Sequence, residues 1–98
     1  MKPVSIFNLC PIEAARRADG GRAVASFDAV ISGLRLAGCV VVEQPDRSLV
    51  AEPPAAKTRN GRGRVVRIVD PGLDREFQRA ALAAYAAISK GENHADAV

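Results

Sequence analysis

The sequence predicts one small α+β domain, an antiparallel β-sheet meander of about five short strands packed against one C-terminal α-helix. The chain has 98 residues, about the length of a single small domain. Short apolar runs with a period of two are separated by glycine and proline turn signals over its first two thirds, which is typical of strands. After Pro71 the apolar period changes to that of a helix.

The first strand is predicted over Val4–Cys10, where Pro11 ends it. A polar connection, residues 11–21, follows and closes on two glycines, which accept the positive φ of a tight turn. The second strand is predicted over Arg22–Ile31, because its side chains alternate. Ala23, Ala25 and Phe27 fall on one face, and Val24, Ser26 and Asp28 fall on the other.

The third strand is predicted over Leu34–Glu43, after a tight turn at Ser32-Gly33. Its middle is almost entirely apolar, as expected of a central strand covered on both faces. Gly38 within it indicates a bulge or a close backbone approach. A fourth strand is predicted over residues 48–51, before Pro53-Pro54, and a fifth over residues 65–69.

The helix is predicted from Leu73 to about Lys90. Asp70 is a good N-cap, and Pro71 fits the first helical position, where its missing N–H costs nothing. Gly91 fits a C-cap, so residues 1–90 are predicted as the domain and residues 91–98 as a flexible tail. The apolar stripe of the helix follows the 3, 4, 7 spacing and contains Leu73, Phe77, Ala80, Ala81, Ala84 and Ile88.

The two cysteines, Cys10 and Cys39, fall in apolar strand patterns and are expected to be small buried hydrophobes. No secretory leader and no run of about 18 apolar residues is found, so a soluble cytoplasmic protein with reduced thiols and no membrane contact is expected.

Catalytic and metal-binding constellations are hard to assemble from these residues. His94 is the only histidine and lies in the predicted tail, and zinc would normally need four Cys or His ligands, more than the chain holds. Asp28, Glu43 and Glu52 show no sign of converging as paired carboxylates. We therefore expect no enzyme activity, no cofactor, no metal site and no small-molecule substrate.

The basic segment Lys57–Arg67 is the positive functional signal. It contains one lysine, four arginines and no acid in eleven residues, a charge of +5 in a chain whose net charge is +3. Arginine binds phosphates bidentately, and glycines within the segment let its cations follow a nucleic-acid backbone. Composition alone does not distinguish a nucleic-acid-binding loop from a solvent-exposed hairpin whose charges only keep the protein soluble.

An ordered set of short matches extends from Asp19 to Ile88. It includes residues 22–26, residues 49–53, Lys57-Thr58, Gly61, Ile68, Pro71, Phe77, Ala80, Leu82 and Tyr85. In this order the chain resembles the SpoVG family, the septation or stage V sporulation protein G regulators of bacteria. The resemblance implies an antiparallel sheet with a C-terminal helix, a homodimer, and binding of DNA and, in some members, RNA in transcription regulation.

The resemblance and the charge together select the candidate nucleic-acid-binding residues. The four expected to contact phosphates are Lys57, Arg59, Arg62 and Arg64, and the secondary ones are Arg67, Arg75 and Arg79. Ala56, Asp74 and Glu76 stand where the family tends to have basic residues, which confines the expectation mainly to the loop.

The alternative is a non-enzymatic protein-interaction module that docks an acidic partner through the same loop or through a sheet edge. The chain has only one tyrosine, three phenylalanines and no tryptophan. Binders of single-stranded nucleic acid usually offer exposed aromatic side chains for base stacking. The low aromatic content therefore favours this alternative slightly.

Overall fold

The computed structural model describes residues 4–57 and 63–97, with only the backbone described at 55–57, 63–65 and 90–97. The predicted fold class is confirmed, since a four-stranded antiparallel sheet packs against one C-terminal helix. The elements are β1 (Val4–Pro11), β2 (Arg22–Ile31), β3 (Leu34–Glu43), β4 (Leu49–Glu52), β5 (Ala55–Lys57), β6 (Gly63–Val65) and α1 (Pro71–Ala97).

The first four strands form a simple meander in the order β1-β2-β3-β4. The bounds of β2 and β3 are those predicted. The turn that joins these strands has positive φ at both central residues, 49° at Ser32 and 85° at Gly33. Such turns match the twist of the strands that they join. The predicted fifth strand over 65–69 is wrong. The structure has instead a separate two-stranded ribbon, β5-β6, and residues 66–70 carry no regular structure.

The core lies between one face of the sheet and helix α1. Phe27 of β2 meets Phe77 of the helix with ring centroids 5.8 Å apart, a separation typical of stabilising aromatic pairs. The other buried members of this core cluster are Val4, Ala25, Ala29, Ile31, Cys39, Val41, Ala51 and Ala81. Of the predicted helical stripe, Leu73 and Ala80 pack against the cluster as well.

The β3 strand is covered on both faces only near its end. Val41 faces the core, while its neighbour Val42 is fully buried on the opposite face, where it lies beside Gly21 of the long connection. Farther along that face, Val40 is half-buried, and Ala37 and Gly38 are exposed. The expectation of a strand covered on both faces therefore holds for its second half alone.

Bulges change which side chains face the core. One between Ala23 and Ala25 brings Val24 against the core cluster, contrary to the predicted alternation. Another, between Phe27 and Ala29, involves Gly38 at φ 86°, which confirms the bulge expected there. Because a shift of one residue reverses the facing of a strand, these positions could not be read from the period alone.

The cysteines differ in environment. Cys39 is fully buried, as predicted, and this burial raises the pKa of its thiol to about 11. Cys10 is exposed, so its predicted burial is wrong. The register of β1 shifts between Phe7 and Cys10, where Asn8 adopts φ 56°. Cys10 thereby pairs with Ser26 of β2, and its own strand β1 has no strand on its other side among the described residues.

Helix α1 begins as predicted. Pro71 is its first residue, and the Leu73 N–H donates to the Asp70 carboxylate at 3.0 Å, the hydrogen bond of an N-cap. The helix continues past Gly91, where the sequence predicts its end, to Ala97. A single glycine costs about 1 kcal/mol relative to alanine, which a helix tolerates. Among the described residues, no helix has the length and apolarity to span a bilayer.

One helix side chain closes an edge of the sheet. The Gln78 amide accepts a hydrogen bond from the Ala51 N–H at 2.8 Å and donates one to the Ala51 carbonyl at 2.7 Å. Because both backbone groups of Ala51 are occupied, β4 offers no pairing site to another strand at this point. Gln78 thus fixes the strand that leads into the basic segment.

Candidate nucleic-acid interface

The basic segment forms a ribbon of its own rather than a fifth strand of the sheet. β4 ends at Glu52, and Pro53 and Pro54 follow. Proline has no N–H to donate and cannot extend a sheet ladder, so the chain leaves the sheet here. A 3.3 Å hydrogen bond from the Val66 N–H to the Pro54 carbonyl closes the base of the new ribbon.

The ribbon brings the ends of the basic segment together. Ala55 pairs with Val65, Ala56 with Arg64, and Lys57 with Gly63. Opposed residues of antiparallel strands lie about 5 Å apart between Cα atoms. Lys57 and Arg64 therefore occupy adjacent backbone positions at the base of the loop, and Arg59 and Arg62 lie outside the described residues. The four main candidate cations thus lie within eight consecutive residues of the sequence.

Of the secondary candidates, Arg67 and Arg75 are exposed, and neither contacts a carboxylate within the described part of the chain. Arg79 is also exposed but forms an ion pair with Glu76 on the same helix. Asp74 lies in the first turn, where the helix dipole favours an acid. The start of the helix therefore carries both signs of charge, in contrast to the basic segment.

Of the arginines outside the basic segment and the helix, some pair with a carboxylate and others do not. Arg17 donates a bidentate pair of hydrogen bonds to Glu52, with N–O distances of 3.0 and 3.1 Å, and these bonds raise the Arg17 pKa. Arg22 lies 3.5 Å from Glu43. Arg16, which donates to the Gly20 carbonyl, and Arg47 contact no carboxylate among the residues described.

The Asp28 carboxylate is a structural acceptor at the centre of the sheet. It accepts hydrogen bonds from the Asn8 amide at 3.0 Å, the Arg35 guanidinium at 3.1 Å and the Gly38 N–H at 3.2 Å. The first two donors are the main causes that lower the Asp28 pKa. Asp28 thus ties β1 and β3 to β2 at their bulges.

The three strand carboxylates do not converge on a common site. Asp28, Glu43 and Glu52 are each engaged with a different arginine. Among the described residues, no three Cys, His, Asp or Glu side chains form a group able to hold a metal ion.

An apolar groove lies next to the basic segment and was not foreseen from the sequence. Its volume is about 260 Å³. One wall comes from the β2–β3 turn region and the other from residues 66–73, with Arg67 and Asp70 among the lining residues. The signal that could have revealed it is the run of apolar residues around Arg67, which was assigned to a strand.

Comparison of the chain with protein-family models, with curated proteins and with solved structures gives no match. The resemblance to the SpoVG family therefore depends on the residues quoted from the sequence.

Proposed function

We propose that this chain is a SpoVG-like nucleic-acid-binding regulatory protein that contacts DNA or RNA phosphates through the basic segment. The observation that carries the proposal is an acid-free +5 segment on a two-stranded ribbon that is separate from the main sheet. The major groove of B-DNA admits a two-stranded ribbon. Lys57, Arg59, Arg62 and Arg64 make the main contacts, and Arg67, Arg75 and Arg79 contribute secondary ones.

Phosphate contacts predict a measurable salt dependence. Each phosphate neutralised on duplex DNA contributes about −0.9 to the slope of log K against log salt concentration. Four cations therefore predict a slope of about −3.6, and removal of two reduces its magnitude by about 1.8. Such contacts position a protein but do not read sequence, so sequence selectivity requires additional contacts.

The experiment compares two double variants of equal net charge in gel shifts with duplex DNA, single-stranded DNA and RNA across a salt series. Arg59→Gln with Arg62→Gln removes two loop cations. Arg16→Gln with Arg47→Gln removes two exposed arginines that lie outside the basic segment. The loop variant is expected to lose affinity and salt dependence, and the control is not. Equal losses in both variants would show that only total charge matters and would refute the proposal.

The same proposal includes a homodimer, as the resemblance implies. β1 has β2 on one side and no strand on the other within the described residues, so its outer edge is open to pairing with another chain. Sedimentation equilibrium is expected to give twice the chain mass of 10.3 kDa at micromolar concentration. A monomer mass throughout would refute the dimer without affecting the test of nucleic-acid binding.

A further inference from the structure

The first half of β3 has a pairing partner on only one side. Strand β2 pairs with β3 from Leu34 to Glu43, whereas β4 pairs only with Val40–Glu43 of β3. β4 ends at Glu52, opposite Val40, and the prolines that follow cannot continue its ladder. Within the described residues, Leu34–Cys39 therefore has an outer edge without a strand. Unpaired edges of this kind accept extended segments of other chains.

The apolar groove adjoins this open half-edge. Leu34 and Leu36 of β3 line it on one side, and Val66, Ile68 and Leu73 line it on the other. The Leu34 side chain is 69% exposed, although leucine usually lies in the core. The groove is large enough for one or two apolar side chains and is smaller than sites for drug-sized ligands, which begin at about 300 Å³.

The opposite wall also offers backbone groups for pairing. Residues 66–70 carry no regular structure, and Arg67, Ile68 and Val69 make no backbone hydrogen bond to any described residue. The Val69 side chain is 87% exposed. Amide and carbonyl groups that bond to no described residue, together with an adjacent apolar groove, are the two components of strand addition, in which backbone bonds supply affinity and pockets select side chains.

We propose that the groove binds a short extended segment of a partner protein that carries an apolar side chain flanked by acidic residues. The apolar side chain enters the groove, and the backbone pairs with Leu34–Leu36. Pairing stops there because the bulge at Gly38 interrupts the edge. The docked segment is therefore only three or four residues long.

The acidic requirement follows from the charges around the groove. Arg67 lines it and contacts no carboxylate within the described residues, and the other four cations of the basic segment precede Arg67 in the sequence. Asp70 is already engaged, because its carboxylate accepts the Leu73 N–H and lies at the positive end of the helix dipole. Acidic residues of the partner therefore meet an excess of positive charge.

Two other occupants fit less well. The groove contains no aromatic side chain on which a nucleic-acid base could stack. The open edge of a second copy would be β1, Val4–Pro11, which contains no acidic residue. An acidic, apolar peptide is complementary to the groove in both charge and polarity.

The test is a heteronuclear NMR titration of the full-length ¹⁵N-labelled chain with the capped peptide Glu-Val-Leu-Val-Glu. Saturable shifts are expected at the amides of Leu34–Leu36 and Arg67–Val69. Two control peptides replace both glutamates by lysine or all three apolar residues by serine. The serine peptide is expected to bind at least tenfold more weakly, since one buried leucine alone contributes about that factor. The lysine peptide is expected to bind more weakly as well, because like charges repel across the interface.

The matched protein variants are Leu34→Ser in the groove and Phe7→Ser on β1. Both residues are exposed, Leu34 by 69% and Phe7 by 47%, so neither change removes a core side chain. Leu34→Ser is expected to weaken peptide binding at least tenfold, and Phe7→Ser is expected to leave it unchanged.

Three results would overturn the proposal. They are no saturable shift at millimolar peptide, equal binding of the serine peptide, or loss of binding in Phe7→Ser as well. Oligothymidylate shifting the same amides more strongly would assign the groove to nucleic acid. A Leu34→Ser variant that becomes monomeric would assign it to a second copy. Gel shifts of the loop variants test nucleic-acid binding separately, because their readout is the binding of DNA or RNA and the Leu34→Ser variant leaves every cation of the basic segment in place.

Discussion

The bidentate contact between Gln78 and Ala51 provides a direct test of how the helix holds the sheet. Replacing Gln78 by alanine removes two hydrogen bonds, of 2.8 and 2.7 Å, and leaves both backbone groups of Ala51 unpaired. Ala51 is only 2% exposed, so water replaces these bonds poorly. The β4 edge that precedes the basic ribbon then loses its hydrogen bonds to the helix and keeps only the apolar packing of Ala51 in the core cluster.

The size of the effect follows from the two bonds. Each contributes about 1 kcal/mol net, so Gln78→Ala is expected to lower the free energy of unfolding by about 2 kcal/mol. For a domain of this size that corresponds to a fall of about 8–16 °C in Tm. The higher helix propensity of alanine recovers only a few tenths of a kcal/mol.

Urea unfolding followed by circular dichroism measures the loss, with Arg75→Ala as the control on the exposed side of the same helix. The control is expected to change stability by less than about 0.5 kcal/mol. Gln78→Leu keeps the side-chain volume without the hydrogen bonds and is expected to be destabilised as well. If Gln78→Ala lost less than about 0.5 kcal/mol, or if Gln78→Leu matched the wild type, the proposed role of the two bonds would be refuted.

Three further perturbations test the core and the central bulges by urea unfolding. Phe77→Ala removes the partner of Phe27 from a fully buried site and is expected to cost about 3–5 kcal/mol; a loss below about 2 kcal/mol would contradict the packing described. Gly38→Ala adds a methyl group in open space to a residue with φ 86°. The substitution is therefore expected to lower the free energy of unfolding through backbone strain alone, by about 1–2 kcal/mol. Unchanged stability would rule out that backbone geometry. The folded-state pKa of Asp28 is lowered, so its carboxylate stabilises the fold above the unfolded pKa of about 3.9, and this contribution is lost as pH falls through the folded pKa. The difference in urea midpoint between the wild type and Asp28→Asn is therefore expected to be largest near neutral pH and to shrink below about pH 4; a difference independent of pH would disagree with this assignment.

The success of the sequence predictions depended on how local their physical cause was. Alternation and the Ser32-Gly33 turn were sufficient for β2 and β3, and Asp70 with Pro71 was sufficient for the start of the helix. The fifth strand was misplaced, because an apolar run such as residues 65–69 becomes a strand only if a partner strand lies beside it. The actual ribbon pairs Ala55–Lys57 with Gly63–Val65, and the alanine, lysine and glycine residues that dominate it are weak strand formers.

The candidate site divides in the same way. The charge of the basic segment is a property of the sequence and could be counted directly. Which other arginines keep their charge unpaired depends on contacts such as Arg17 with Glu52, 35 residues apart. The apolar groove likewise requires the β2–β3 turn and residues 66–73 to meet.

The sequence by itself determined the class of fold, the two central strands, the helix start and the position of the basic segment, because each depends on neighbouring residues. Only the tertiary structure decided where the bulges fall, that Cys10 is exposed and Cys39 buried, and that the basic segment stands on a separate ribbon beside a groove. The physical reason is that sheet register is set by pairing between distant residues, and a shift of one residue reverses which side chains face the core.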